Sequence, residues 1–378
     1  MRRQGAVFLG PLSAFDSDLM TPEQIDQQIL SAYPDGCQTD AVTPLFPSAA
    51  LGRCRYWMVE SFEGTFCLRR WPKEQTNIER LQFIQAVLWH AVCEGIETVP
   101  LPLETREHKG IVRCDDSFWE LMPWIGGDLE DSDDEAGKSE WEDPDTELFR
   151  IASAMVALAQ FHEATASFPL PDPPQSFSMG IQERLFRCRT WVAELLPTLR
   201  RTLESICNIP QNDVEFRLAR IGVEYLDLVA PRSVANMVSL RRAANLPVSV
   251  QPTIRNACFR HLRFDEDGVC GMIDFTELGV DAVSLDIATL LGSLVGEDAG
   301  AWNYGLKAYQ SFRPLSDNER YLTVAFDEAQ TFLEGLEYLN AVFLKEEPFT
   351  VLQLAEIHRR LKRLVGRLRN GRSNRRSA

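Results

Sequence analysis

The sequence has no long hydrophobic run: nowhere in its 378 residues do the roughly 18 consecutive apolar residues of a membrane-spanning helix occur. A membrane partner is therefore not expected. Positive charge is also scarce, with 39 Lys and Arg against 55 Asp and Glu and a formal net charge of −16. General nucleic-acid binding relies on clustered cations that displace counterions, so nucleic-acid partners are not expected either. The acidity suits solubility or a cationic partner. Cysteine is missing where a metal site would need it. The nine cysteines, at 37, 54, 67, 93, 114, 188, 207, 258 and 270, include no close pair at metal-site spacing, and their odd total does not make a complete disulfide framework. Reduced thiols and a cytoplasmic setting are the expectation. The opening stretch MRRQGAVFLGPL has charge but only a short apolar run broken by Gly and Pro, and does not read as an export signal.

What is present is enough apolar surface, 45% of residues, to bury one large core or two, which favours a two-lobed, enzyme-sized fold. Residues 1–40 read as a lead-in, with a short helix starting near Pro22 behind a Thr21 cap. Residues 41–127 read as a small lobe. RYWMVESF, a Glu63-Gly64 turn and TFCLRRW make a β-hairpin whose second strand carries Arg69 and Arg70. These two point to opposite faces of a strand, and each is either an edge arginine in water or part of an anion clamp. Asn77 caps a helix with Leu81, Ile84, Leu88 and Val92 on one side. Further strands are expected at Thr98–Thr105, Gly110–Arg113 and Phe118–Trp124. Residues 128–147 are dense in Asp and Glu, bury nothing, and mark a lobe boundary, with contact to a basic partner as the open alternative. From 148 to 378 the pattern is mainly helical, interrupted at Pro197 and by one hairpin at 250–275. The fold class expected is α+β, with a small antiparallel sheet and a larger helical lobe. The last helix, LQLAEIHRRLKRLVGRLR, is basic and reads as an exposed face.

That hairpin sits in Val250–Ala288 and turns at Asp265-Glu266-Asp267-Gly268, where glycine accepts the positive φ of a tight turn. Its second strand, Val269–Phe275, brings Asp274 to the end of a sheet. There a carboxylate either caps the next helix or handles a metal or phosphate.

With Asp274 in view, the segment resembles the aminoglycoside phosphotransferase and choline kinase superfamily, whose signature runs H-G-D-x-x-x-x-N, a turn, then I-D-F/W. Gly268 to Phe275 resembles the second half, Ser284-Leu285-Asp286-Ile287-Ala288 resembles a downstream Y-D-L-A, and Leu158 to His162, Phe66 to Pro72 and Glu120 to Gly127 extend the likeness. The resemblance implies a protein-kinase-like two-lobed fold that uses ATP and Mg2+ to phosphorylate a hydroxyl of a small molecule. It places the metal aspartate on Asp274, the catalytic aspartate on Asn256 and the second metal ligand on His261. The lysine that holds phosphates falls on Arg69, or on Arg70 if the register slips by one. Gly52 falls in the phosphate-covering turn, Met122 in the hinge beside the nucleotide, and Asp286 on a buried brace of the catalytic loop. No helix carboxylate matches the partner of the phosphate-holding cation. An asparagine orients a hydroxyl but takes no proton, and imidazole is a poor partner for Mg2+. Two readings follow: a small-molecule kinase, or an impaired pseudokinase that binds nucleotide or a protein partner.

Overall fold

The computed structural model describes residues 20–37, 39–45, 54–72, 76–126, 144–170, 177–208, 214–296, 298–345 and 349–369. Their backbone contacts divide into two compact units, one from the described residues up to 76 together with Pro102–Trp124, the other from 77–101 and from Ile125 onward. The architecture is α+β, as the composition and strand pattern lead one to expect.

The first unit is an antiparallel sheet of five strands, β1 (Thr39–Leu45), β2 (Arg55–Ser61), β3 (Gly64–Arg70), β4 (Val112–Cys114) and β5 (Ser117–Pro123), in the order β1-β2-β3-β5-β4. The β2–β3 hairpin turns at Phe62-Glu63, and Gly64 follows with φ +136°. Side chains alternate across the strands. Trp57, Val59, Phe66, Leu68, Trp119 and Leu121 fill one face and bury against Ile25, Ile29, Leu30, Tyr33 and Cys37. Those five come from helix α1 (Pro22–Gln28), the two 3-10 turns after it and the residues that join them. Thr21 caps α1 with a reciprocal bond to Gln24. The lead-in is thus part of the sheet's core, a role its composition did not reveal. The register sets Arg69 opposite Glu120 and Cys67 opposite Met122, on the face away from that core. Strand β1 was not anticipated, and the strand expected at Thr98–Thr105 does not form. Pro100 and Pro102 remove two ladder donors there, and the segment runs as irregular chain that touches the sheet through Leu103 N–H donating to Leu121 O at 2.7 Å.

The second unit is helical: α2 (Ile78–Cys93), α3 (Pro144–Thr165), α4 (Met179–Thr190), α5 (Leu196–Cys207), α6 (Val214–Val229), α7 (Ser233–Ala243), α8 (Ser284–Val295), α9 (Ala299–Phe312), α10 (Asp317–Phe343) and α11 (Val351–Arg369). Asn77 caps α2 by accepting from Arg80 N–H at 2.8 Å. The interruption expected at Pro197 takes the form of a π-helical turn at Trp191–Leu195, which joins α4 to α5 just ahead of the proline in the first turn of α5. Leu199, Leu203, Leu218, Leu226, Leu336, Leu339, Ile357 and Leu361 are among the buried side chains of one core shared by α5, α6, α10 and α11.

Into this helical unit are set two short ladders, β6 (Gln251–Thr253) with β9 (Gly279–Asp281), and β7 (Leu262–Asp265) with β8 (Gly268–Met272). The β7–β8 turn is stabilised by Asp267 N–H donating to Asp265 Oδ1 at 2.9 Å, and Gly268 takes φ +119°. Most of the acidic segment 128–147 and the tail 370–378 lie outside the described residues; 144–147 open α3.

Candidate functional site

The loop from Ile254 to Leu262 runs from β6 into β7 and is held from beneath by one carboxylate. Asp286, in the first turn of α8 and fully buried, accepts Ile254 N–H on Oδ2 and Arg255 N–H on Oδ1, both at 2.6 Å. Its Oδ2 also lies 3.0 Å from Nε2 of His162 on α3, and His162 Nδ1 lies 2.8 Å from the Tyr309 hydroxyl on α9. A carboxylate only accepts, so Nε2 carries the ring proton and Nδ1 accepts from Tyr309. Burial outweighs the pull of Asp286 and lowers the His162 pKa, in keeping with a neutral ring. The brace implied for Asp286 has this geometry, and His162, read as a cap or packing residue, is its second member.

Two residues of this region have left-handed backbone. Arg255 has φ +64° and Asp274 φ +62°, left-handed values that non-glycine residues adopt at a cost. The Arg255 side chain lies 3.6 Å from Glu183 of α4. Asn256 follows, half-buried, and its carbonyl is 2.9 Å from Nδ1 of His261. Nε2 of the same ring is 3.4 Å from Asp274 Oδ2. His261 therefore links the Asn256 backbone to the Asp274 carboxylate. Asp274 Oδ1 accepts from the Thr276 hydroxyl at 2.7 Å, and the carbonyl of Thr276 accepts from Arg80 of α2 at 2.7 Å. Helix α2 delivers an arginine, not a carboxylate, to the stretch after Asp274.

Cys258 is the residue that sequence reasoning passed over. Its carbonyl accepts His261 N–H at 2.9 Å in a 3-10 turn, and its thiol lies close enough to the ring to shift its titration. An apolar recess lined by Leu158, Ile254, Ala257, Leu262, Met272 and Leu290 lies beside them. Burial opposes the His261 charge, but Cys258 first, then Asp274 and the Asn256 carbonyl, lift its pKa to about 9. Burial likewise opposes the Cys258 thiolate, and His261 overcomes it, so the thiol titrates below its ordinary value. The three-residue spacing of Cys258 and His261 was present in the sequence. Only the 3-10 turn shows that it brings the two side chains together.

A third contact ties the loop to the end of the chain. Arg260 Nη2 donates to Glu356 Oε1 at 2.8 Å, and Arg359 and Arg360 converge on the same buried carboxylate. The arginines hold Glu356 below the usual carboxylate range against the opposing effect of burial.

In the sheet unit, Arg69 is 2% exposed and binds Glu120 Oε1 through Nε at 2.6 Å and also through Nη2, with its guanidinium 4.2 Å from the Trp71 ring centre. The carboxylate partner missing from α2 is supplied by the neighbouring strand. Arg69, Glu120, Cys67 and Met122 share one face, whereas Arg70 projects from the other, donating to Ser117 Oγ at 3.1 Å with its charge 5.5 Å from the Trp119 ring. Gly52 lies outside the described residues.

A divalent ion finds little here. Among the described residues no group of three or more His, Cys, Asp or Glu is arranged to hold a metal. His261 does not fit the ligand role expected of it. Nδ1 donates to a carbonyl, and Nε2 faces Asp274 at 3.4 Å, whereas Asp274 has the oxygen chemistry such an ion takes.

The model of the phosphotransferase enzyme family matches residues 46–322. No curated protein matches. Among solved structures, an amicoumacin kinase in complex with AMP-PNP, Ca2+ and Ami is 15% identical, with a TM-score of 0.59 over 92% of this chain and 94% of that one. An aminoglycoside phosphotransferase from Alicyclobacillus acidocaldarius is 16% identical, with a TM-score of 0.59 over 95% and 98% of the two chains. A microcompartment-associated aminopropanol kinase is 16% identical, with a TM-score of 0.59 over 91% and 95%. At these identities the likeness is one of fold.

Proposed function

The chain belongs to the phosphotransferase enzyme family, and from that premise we propose that it binds ATP and transfers a phosphoryl group to a hydroxyl of a small molecule. The observation that carries this reading is the buried brace, in which Asp286 grips the amides of Ile254 and Arg255 and sets Asn256 at the turn of the loop. Phosphoryl transfer passes through a loose transition state, in which positioning and charge neutralisation dominate. Asn256 orients the acceptor hydroxyl without taking its proton, and Arg69, steadied by Glu120, neutralises phosphate charge. Met122 shares the Arg69 face and contributes an apolar surface to the nucleotide. Arg70, on the opposite face, has no part in it. The net charge of −16 favours a cationic acceptor, and aminopropanol, the substrate in the name of one structural neighbour, is the first alcohol to try.

A second reading, an impaired kinase that keeps nucleotide and works through a partner, is favoured by one observation: Asn256 stands at the base position and His261 is turned onto Asp274. Thermal shift with ATP, on the wild type and on Asp274→Ala, tests both. Absence of any nucleotide stabilisation overturns them together. Turnover on a panel of alcohols then separates them, and Asn256→Asp sharpens the result. General-base catalysis is worth about 10²- to 10⁴-fold, so a gain of that size marks the natural chain as impaired at this step, and a parent that is already fast excludes impairment.

A further inference from the structure

Each residue of the 3-10 turn Phe259–His261 is tied to something outside it. Phe259 N–H donates to the Ser293 hydroxyl of α8 at 2.9 Å. His261 N–H donates to Cys258 O at 2.9 Å, and the His261 carbonyl accepts Ile273 N–H at 2.8 Å. Between them the Arg260 side chain leaves the loop and reaches Glu356 of α11, Nη2 to Oε1 at 2.8 Å. The turn also closes back on Asn256, whose carbonyl lies 2.9 Å from Nδ1 of the His261 ring. Holding the turn therefore holds the backbone at Asn256.

Glu356 does not depend on Arg260 for its own pairing. It is buried, and two arginines of its own helix meet it: Arg360 Nε lies 2.8 Å from Oε1 and Arg359 Nη2 lies 2.8 Å from Oε2. Side chains three and four residues apart on a helix come together without help from elsewhere. Each carboxylate oxygen thus keeps a guanidinium when Arg260 is removed. The dependence runs the other way. Arg260 is partly exposed, and a long cationic side chain without a partner samples many rotamers in water. A carboxylate already fixed by its own helix gives that side chain a rigid point of attachment. The match to the family ends at residue 322, whereas α11 begins at Val351, so the attachment comes from beyond the matched region.

We propose that Arg260 and Glu356 are positioning residues: α11 holds the Phe259–His261 turn, and through it Asn256, in the geometry that orients the acceptor hydroxyl. The proposal rests on the phosphotransferase reading above, and amide exchange separates its failure from the failure of that reading.

Arg260→Met keeps the apolar stem and removes the tether, and it is compared with the wild type as the full chain. The midpoint of thermal unfolding is expected within about 3 °C of the wild type, because no buried charge is left unpaired. Amide exchange at Phe259 and His261 is expected to rise by about 10-fold or more, while Ile254 and Arg255, gripped by Asp286, exchange as before. With an alcohol that the panel identifies, kcat falls by about 10- to 100-fold, the effect of a displacement of about 1 Å, and KM for ATP stays within about threefold. Arg260→Lys, which restores a cationic donor, recovers part of the rate and of the protection. Unchanged exchange at Phe259 and His261 in Arg260→Met overturns the proposal and leaves the phosphotransferase reading standing. Faster exchange with an unchanged kcat overturns it as well, since the turn then moves without consequence. Should Arg260→Met unfold, or melt more than about 10 °C lower, the pair is structural and the proposal fails. A wild type that turns over no alcohol overturns the phosphotransferase reading and the positioning role together.

Discussion

The buried side of the Ile254–Leu262 loop and its open side differ in how their polar groups are satisfied. Beneath the loop, Asp286, His162 and Tyr309 are all fully buried and make one closed set of bonds with the loop amides. On the open side, Asn256, His261 and Asp274 are half-buried, and their links are a carbonyl contact and a 3.4 Å ion pair. The buried set determines whether the loop has its shape, and the open set determines what the shape does. A family can exchange the second by single substitutions and keep the first, because removing a member of the closed set leaves buried polar groups unpaired and removing a member of the open set returns them to water.

Asp286→Ala is the severest way to break that contrast. It strands two loop amides and the His162 ring, and unfolding in denaturant is expected to show a loss of about 3–5 kcal/mol. A loss under about 1 kcal/mol would mean that the brace is dispensable and the contrast mistaken. Proton titration sets the two sides against each other. His162 has a lowered pKa in the fold, so its unfolded form binds protons first and stability falls as the pH drops below about 6.5. His261 is raised to about 9, so the stability it contributes is lost as the pH rises through 9. Unfolding followed from pH 5 to 10 should show both flanks, and His261→Gln should remove the alkaline one alone. The smallest effect comes from the strained backbone. At φ +62°, Asp274→Gly should be more stable than Asp274→Ala by about 1 kcal/mol, the cost of a left-handed residue with a Cβ. Equal stabilities would show that the backbone relaxes once the carboxylate is gone.

The parts of this molecule that could be read from the sequence are those written in local patterns. The Asp265–Gly268 turn, the Asn77 cap and the Glu63-Gly64 hairpin each depend on residues a few positions apart, and each formed close to where it was expected. Asp274 could be placed for the same reason, as the carboxylate just beyond a strand. The Arg69–Glu120 pair could not, because it depends on a strand register joining residues 51 positions apart. Thr98–Thr105 looked like a strand by its apolar residues, but Pro100 and Pro102 deny it two ladder bonds. His261 was expected as a metal ligand, but its orientation, with Nδ1 on the Asn256 carbonyl and Nε2 towards Asp274, depends on a 3-10 turn that the sequence does not signal. Glu356 was further from reach, since nothing in the basic pattern of the last helix signals that its one acidic side chain holds Arg260.

The helix and turns at Pro22–Cys37 bear on where this protein can be cut. The match to the family begins at residue 46, and a fragment started there would keep all of it. It would also lack Ile25, Ile29, Leu30, Tyr33 and Cys37, and so present Trp57, Leu68, Trp119 and Leu121 to water as a continuous apolar sheet face. Such a face invites self-association. Fragments designed from family boundaries should therefore come out insoluble, while those that begin ahead of the Thr21 cap should behave like the whole chain. The matched region and the folding unit have different edges.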